Sequence, residues 1–149
     1  MKILCKNENE TKKIAQAVAK FLEPGSILCL DGDLGAGKTT FSQYLCQALG
    51  FDGYVNSPSY SIVNEYSNDI KINHFDVYRI YSVEELYEIG YEEYFFGEAI
   101  TIVEWASKIE ELIPADSIWI TIALGEKENQ RVFHIEGLPE NIDFKTKES

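Results

Sequence analysis

Apolar residues recur along the chain at two periods, one matching helices and one matching strands. A short strand is predicted at Lys2–Cys5, followed by Ile14, Ala17, Val18, Phe21 and Leu22 at helical spacing as far as Pro24-Gly25. Ile27–Leu30 is continuously apolar, as in a strand covered on both faces, and Phe41, Leu45, Ala48 and Leu49 return to the helical period until Gly50. Tyr60–Tyr66 and Ile70–Tyr78 alternate around a turn at Asn68-Asp69, which predicts an antiparallel hairpin. Ser82 with Glu85 forms a capping-box pattern that opens a short helix through Leu86 and Ile89 to Gly90. Ala99–Val103 predicts another buried strand, Trp105–Leu112 a short helix stopped near Pro114, and Ile118–Leu124 with Arg131–Ile135 a closing hairpin. Strand and helix alternate first and strands dominate later, so the expected fold is a three-layer α/β sandwich with a mostly parallel central sheet and antiparallel hairpin additions.

The 149 residues, 45% of them hydrophobic, suit one domain over 1–149, with no repeat or Pro/Gly-rich linker to divide it. A formal charge of −12 sets up a field that repels nucleic acid, so any RNA connection is expected to run through a partner. The same acidity is also an ordinary route to solubility. Neither end carries an apolar run long enough to cross a bilayer, and MKILCKNENE becomes charged too early for a secretory signal, which predicts a cytoplasmic protein without membrane contact. Cys5, Cys29 and Cys46 are odd in number and lack CxxC spacing, so they read as small buried hydrophobes. His74 and His134 are too few and too far apart for a metal cluster, and are expected to face solvent or occupy satisfied core positions.

Residues Gly32 to Thr39 read GDLGAGKT and satisfy GxxxxGK[ST] at every fixed position, between a predicted strand and a predicted helix. In that setting backbone N–H groups converge on phosphate at a helix N-terminus. The sandwich is therefore expected to be of P-loop NTPase type. Gly32, Gly35 and Gly37 permit close approach, Lys38 supplies a mobile positive charge for the β- and γ-phosphates, and the Thr39 hydroxyl suits Mg²⁺, a hard cation that prefers oxygen. ATP and Mg²⁺ are the expected cofactors.

Further acids are needed to hold the metal and orient water. Asp76, in HFDVYR, and Glu104, after Ile100–Val103, could each end a strand beside the loop; the alternative for either is a solvated surface charge. Ser57, Ser59 and Ser61, in SPSYS, lie where many P-loop proteins keep a segment that responds to the γ-phosphate. The alternative there is a plain Ser-Pro turn at the start of a strand.

GTPase segments of the form DxxG and NKxD do not occur in the chain, which favours ATP over GTP. Small-molecule kinases typically use several arginines, and this chain has only Arg79 and Arg131. GDLGAGKTTF (Gly32–Phe41), SPSYSIVNEY (Ser57–Tyr66), HFDVYR (His74–Arg79), the Glu85-Leu86 to Gly90 stretch and IVEW (Ile102–Trp105) follow one another as in a known family. By these motifs the chain resembles the TsaE family, small bacterial ATPases of tRNA threonylcarbamoyladenosine biosynthesis, over nearly its whole length.

The resemblance implies an ATPase, weak alone, that acts on a threonylcarbamoyl-transferase complex of TsaD- and TsaB-type proteins without transferring the group itself. tRNA would be met only through those partners, and the isolated chain would be monomeric. It also implies that Asp33, Leu34, Gly35, Ala36, Gly37, Lys38, Thr39 and Thr40 hold the phosphates. Thr39 and Glu104 would bind Mg²⁺, Asp76 would support the metal or the attacking water, and Lys38, Asp76 and Glu104 would form the catalytic set. Thr11 matches a threonine near the adenosine, and Arg131 is a candidate for the same end of the nucleotide. Ser59 and Ser61 replace the family's usual threonines but keep the hydroxyls. Ser107 stands where the family often has a second acid, which removes any role of that carboxylate. Two rival functions remain at this stage: a small-molecule kinase, and an ATP-dependent binding module whose hydrolysis is incidental.

Overall fold

The computed structural model describes residues 1–33, 35–58, 61–139, 142 and 144. Among these, seven strands form one sheet: β1 (Lys2–Cys5), β2 (Ile27–Gly32), β3 (Val63–Ser67), β4 (Lys71–Asp76), β5 (Ile100–Glu104), β6 (Ile118–Leu124) and β7 (Arg131–Glu136). Their spatial order is β1-β7-β6-β2-β5-β4-β3. The central strands β6, β2, β5 and β4 are parallel, and β3 at one side and β7 and β1 at the other add antiparallel. The molecule is thus an α/β protein with a mixed sheet and a parallel centre.

Two cores explain the continuous apolar runs. Leu28 and Leu30 of β2 point into one core with Ile14, Ala15 and Val18 of α1 (Glu8–Ala19) and Phe41, Leu45 and Cys46 of α2 (Lys38–Ala48). Ile27 and Cys29, on the opposite pleat, enter a second core with Leu86 of α3 (Glu84–Glu88), Tyr91 and Phe95 of α4 (Tyr91–Phe95), and Ile109 of a 3-10 helix (Ala106–Leu112). A parallel strand covered on both faces loses the polar–apolar alternation of a half-exposed one.

Several boundaries differ from those expected. Helix α1 starts after Asn7, whose side chain accepts from the Glu10 N–H at 3.0 Å, and ends at Ala19, so Phe21 lies beyond it and is exposed. In α2 the buried face is Phe41, Ser42, Leu45 and Cys46, with Ala48 exposed. Ser42 is tolerated there because its hydroxyl donates to the Lys38 carbonyl at 3.0 Å. β3 begins at Val63 rather than Tyr60, which lies outside the described residues, and β4 ends at Asp76 rather than Tyr78. Only the acid's half of the predicted capping box forms as expected: Glu85 accepts from the Ser82 N–H at 3.3 Å, while Val83 takes the cap position. The stretch expected as a helix over Trp105–Leu112 is a 3-10 helix, with Trp105 before it in the left-handed region at φ 64°.

All three cysteines are buried and free. Burial pushes the Cys46 thiol up to about 12 and raises the Cys29 thiol further, because a thiolate loses its hydration among apolar neighbours.

Candidate functional site

The parallel register brings the site together. Leu30 of β2 lies opposite Glu104 of β5, and Glu104 lies opposite Asp76 of β4, so both acids stand at strand C-terminal ends beside the loop that follows Gly32. Open α/β sheets bind ligands at this edge. Gly32 has no alternative: at φ 142°, a Cβ there would lie 2.1 Å from the Ile122 carbonyl oxygen of β6. Gly37 caps α2 in the left-handed region at φ 107°, which turns the loop into the helix N-terminus.

Lys38 is 5% exposed, and its ammonium donates at 2.8 Å to both the Gly32 and Asp33 carbonyls while lying 3.9 Å from the centre of the Trp105 ring. Burial lowers its pKa, and Glu104, Asp31, Asp33 and Asp76 oppose that shift. The left-handed Trp105 backbone, an uncommon conformation for a bulky residue, sets the ring beneath the cation. Trp105 is held there by its N–H, which donates to the Leu30 carbonyl at 2.8 Å.

The Thr39 hydroxyl lies 2.7 Å from the Ser57 hydroxyl and donates to Oε1 of Glu104 at 3.1 Å. Glu104 is 1% exposed, and its Oε2 accepts from Ser57 at 3.5 Å and from Ser42 at 3.4 Å. Asp76 is half-buried and accepts from the Tyr78 N–H at 2.9 Å. Desolvation raises the Asp76 pKa, and Glu104 adds to the rise against the hydrogen bond from Tyr78. Among the described residues no group of three or more His, Cys, Asp or Glu side chains is placed to hold an ion unaided. Hydroxyl and carboxylate oxygens from Thr39, Ser57, Glu104 and Asp76 nevertheless make a hard donor set of the kind Mg²⁺ uses when phosphate completes its shell.

The loop separates two cavities. One, of about 660 Å³, is lined by Lys38, Thr39, Ser57, Asp76, Glu104 and Trp105 among others. The second, of about 370 Å³, is lined by Thr11, Ala36, Arg131 and Phe133 among others, and Gly37 and Thr40 border both. Arg131 spends its guanidinium on backbone carbonyls: Nε donates to Ala36 at 2.9 Å, and one terminal nitrogen to Glu128 and Gln130 at 2.8 and 2.9 Å. It therefore braces the loop from the second cavity. Asp33 is exposed, and its carbonyl accepts from Lys38 and from the Ala36 N–H at 3.0 Å. Gly35 borders the first cavity. Ser61 also borders it, but its hydroxyl donates to the Val63 carbonyl at 3.2 Å, the local turn bond of a strand start. Leu34 and Ser59 lie outside the described residues.

A family model described as "Threonylcarbamoyl adenosine biosynthesis protein TsaE" matches residues 5–133. The chain belongs to the TsaE family. It is 43% identical over 129 residues to a Bacillus subtilis protein named tRNA threonylcarbamoyladenosine biosynthesis protein TsaE, covering 85% of this chain and 80% of that one. A Haemophilus influenzae protein of the same name is 40% identical over 113 residues, covering 74% and 72%. The crystal structure of Bacillus subtilis YdiB superposes with a TM-score of 0.70 at 36% identity, over 89% of this chain and 82% of that one.

In this TsaE-family site two contributors escaped the sequence reading. His74 is 0% exposed, with Nε2 2.5 Å from Oε2 of Glu104 and Nδ1 3.1 Å from the Tyr66 hydroxyl. His74 thus does sit in a satisfied core position, but against a site acid. Its place in the HFDVYR run, two residues before Asp76 on the same strand face, was the available signal. Asp31 was also missed: its Oδ1 accepts from both the N–H and the hydroxyl of Ser107, at 3.1 and 3.0 Å. Ser107, which replaces the family's frequent second acid, is thereby tied to the strand that feeds the loop.

Proposed function

We propose that this TsaE-family chain is a single-domain Mg²⁺-dependent ATPase of tRNA threonylcarbamoyladenosine biosynthesis. Its hydrolysis acts on a threonylcarbamoyl-transferase protein complex of TsaD and TsaB type, and tRNA is reached only through those partners. The P-loop NTPase sandwich is the fold variant that suits this reading. The observation that carries it is the meeting of Thr39, Ser57 and Glu104 beside Lys38, at the opening of the helix that follows GDLGAGKT.

The triphosphate would lie along the loop, with its adenosine toward Thr11 and Arg131 and its γ-phosphate toward Asp76 and Glu104. Backbone N–H groups of residues 33–40 and the α2 N-terminus neutralise the phosphates, and Lys38 adds a full positive charge. Thr39 and Glu104 would hold Mg²⁺, with Asp76 in support, and the ion when bound screens negative charge on the β- and γ-phosphates. Asp76 orients the attacking water in line with the bond between the γ-phosphorus and the β–γ bridging oxygen. That bond breaks as the water oxygen joins phosphorus, leaving ADP and inorganic phosphate. Catalysis on this account is positioning plus electrostatics.

The deciding experiment measures ATP hydrolysis with Mg²⁺ by the chain alone and with the transferase proteins and tRNA. Stimulation by the partners supports the proposal. Turnover that requires a small-molecule acceptor would make the chain a kinase, and partner binding that persists unchanged with a non-hydrolysable ATP analogue, with modification intact, would make it a nucleotide-dependent clamp. The scarcity of arginine in the larger cavity, where Arg79 is the one that lines it among the described residues, disfavours the kinase.

A further inference from the structure

Behind Glu104 a chain of polar side chains runs across one face of the sheet, from β5 over β4 to β3, and back to the segment that carries Ser57. His74 of β4 lies 2.5 Å from Oε2 of Glu104 on neighbouring β5. Its other ring nitrogen is 3.1 Å from the hydroxyl of Tyr66 on β3, and that hydroxyl donates to the Asn56 carbonyl at 3.0 Å. Asn64, also on β3, donates to the same carbonyl at 3.1 Å. Asn56 immediately precedes Ser57, whose hydroxyl meets both Thr39 and Glu104. The result is a closed circuit through Glu104, His74, Tyr66, Asn56 and Ser57.

We propose that His74 and Tyr66 are positioning residues that aim Glu104 at the Thr39 hydroxyl and lock that aim to the position of Ser57. The inference rests on the Mg²⁺-ATPase reading above and extends it to residues that touch neither nucleotide nor water. A carboxylate with both oxygens free could rotate about its terminal torsion, which has broad minima. Oε2 is held by His74, which leaves Oε1 directed at Thr39. Tyr66 fixes the ring in turn, and it is itself fixed by stacking on Phe51 at 5.0 Å between ring centres. The circuit crosses three adjacent strands, β3, β4 and β5, so register holds it. Outer groups that orient carboxylate ligands commonly change metal affinity by roughly tenfold or more when removed.

The test compares His74→Gln, His74→Asn, His74→Ala and Tyr66→Phe by Mn²⁺ binding to the complex with a non-hydrolysable ATP analogue, followed by electron paramagnetic resonance. Nucleotide affinity without metal and thermal melting are measured alongside. A glutamine amide nitrogen reaches the place of Nε2, whereas an asparagine nitrogen reaches only that of Nδ1. His74→Gln is therefore expected to keep Mn²⁺ affinity near wild type, and His74→Asn and His74→Ala to lose roughly tenfold or more. Tyr66→Phe is expected to lose several-fold, with metal-free nucleotide affinity unchanged in every variant. Equal Mn²⁺ affinity in the Gln and Asn variants, whether high or low, overturns the inference, and those two variants decide the matter if His74→Ala does not fold. A wild-type chain that binds no nucleotide would overturn the ATPase reading itself. Normal wild-type binding with indistinguishable variants overturns only the role of His74 and Tyr66.

Discussion

Lys38 and Asp76 carry opposite electrostatic costs. Burial works against the Lys38 charge and four acids offset only part of that cost, while two carbonyls and an aromatic face hold the amine in place beside the loop. Charge-assisted bonds are worth about 1.5–3 kcal/mol each, so Lys38→Ala is expected to weaken ATP binding on the order of a hundredfold, read by calorimetric titration. Asp76 has the reverse balance, because burial and Glu104 raise its pKa in the folded protein above the value in the unfolded chain. The native state then binds more protons than the unfolded state between those two values, and stability falls as pH rises through that window. Above both values the ionised group is a net cost to folding. Asp76→Asn keeps an oxygen for the Tyr78 N–H while removing that charge, so it should melt higher than wild type at pH 7, with the gain fading below the unfolded carboxylate pKa. Its hydrolysis should fall on the order of a hundredfold. A lower melting temperature at pH 7 would contradict the assignment of Asp76 as a stability cost.

At the scale of elements, the loop depends on two glycines for different reasons. Gly32 is hemmed in by β6: an alanine methyl would sit 2.1 Å from the Ile122 carbonyl oxygen, and backbone must move to admit it. Gly35, at φ 81°, meets nothing within 4 Å, so its alanine variant bears only the left-handed conformational cost of roughly 1–2 kcal/mol. Gly32→Ala should therefore depress the melting temperature far more than Gly35→Ala, by at least 10 °C against about 3–6 °C. Comparable shifts in the two variants would mean that β6 yields easily. The 3-10 helix is likewise tethered to the loop strand, through the two bonds from Ser107 to Asp31.

For the whole molecule the decisive quantity is charge. With a formal charge of −12 and, among the described residues lining the larger cavity, no basic side chains beyond Lys38 and Arg79, the chain alone should not retard tRNA in a mobility assay at micromolar protein and physiological salt. Addition of the transferase proteins should bring it into a tRNA-bearing complex. Tight binding of tRNA by the isolated chain would remove the need for an intermediary and contradict the proposed route to RNA. Among the described residues no helix is long and apolar enough to cross a membrane.

Much of this protein was legible from local pattern. The strand–loop–helix around GDLGAGKT, the Asn68-Asp69 hairpin and the placement of Asp76 and Glu104 near strand ends all depend on residues close in sequence, where periodicity and turn chemistry act directly. Helix ends were less legible, because Phe21 continues the period of α1 although the chain has already turned away, and Trp105 enters a backbone conformation its side chain does not favour. What only tertiary structure decided was strand order and register. Those set Asp76 beside Glu104, carry His74 onto the far side of that carboxylate, and bring Ile122 against Gly32. A side chain's chemistry is written in its own residue, but its partners across a sheet are chosen by pairing between segments that no local period connects.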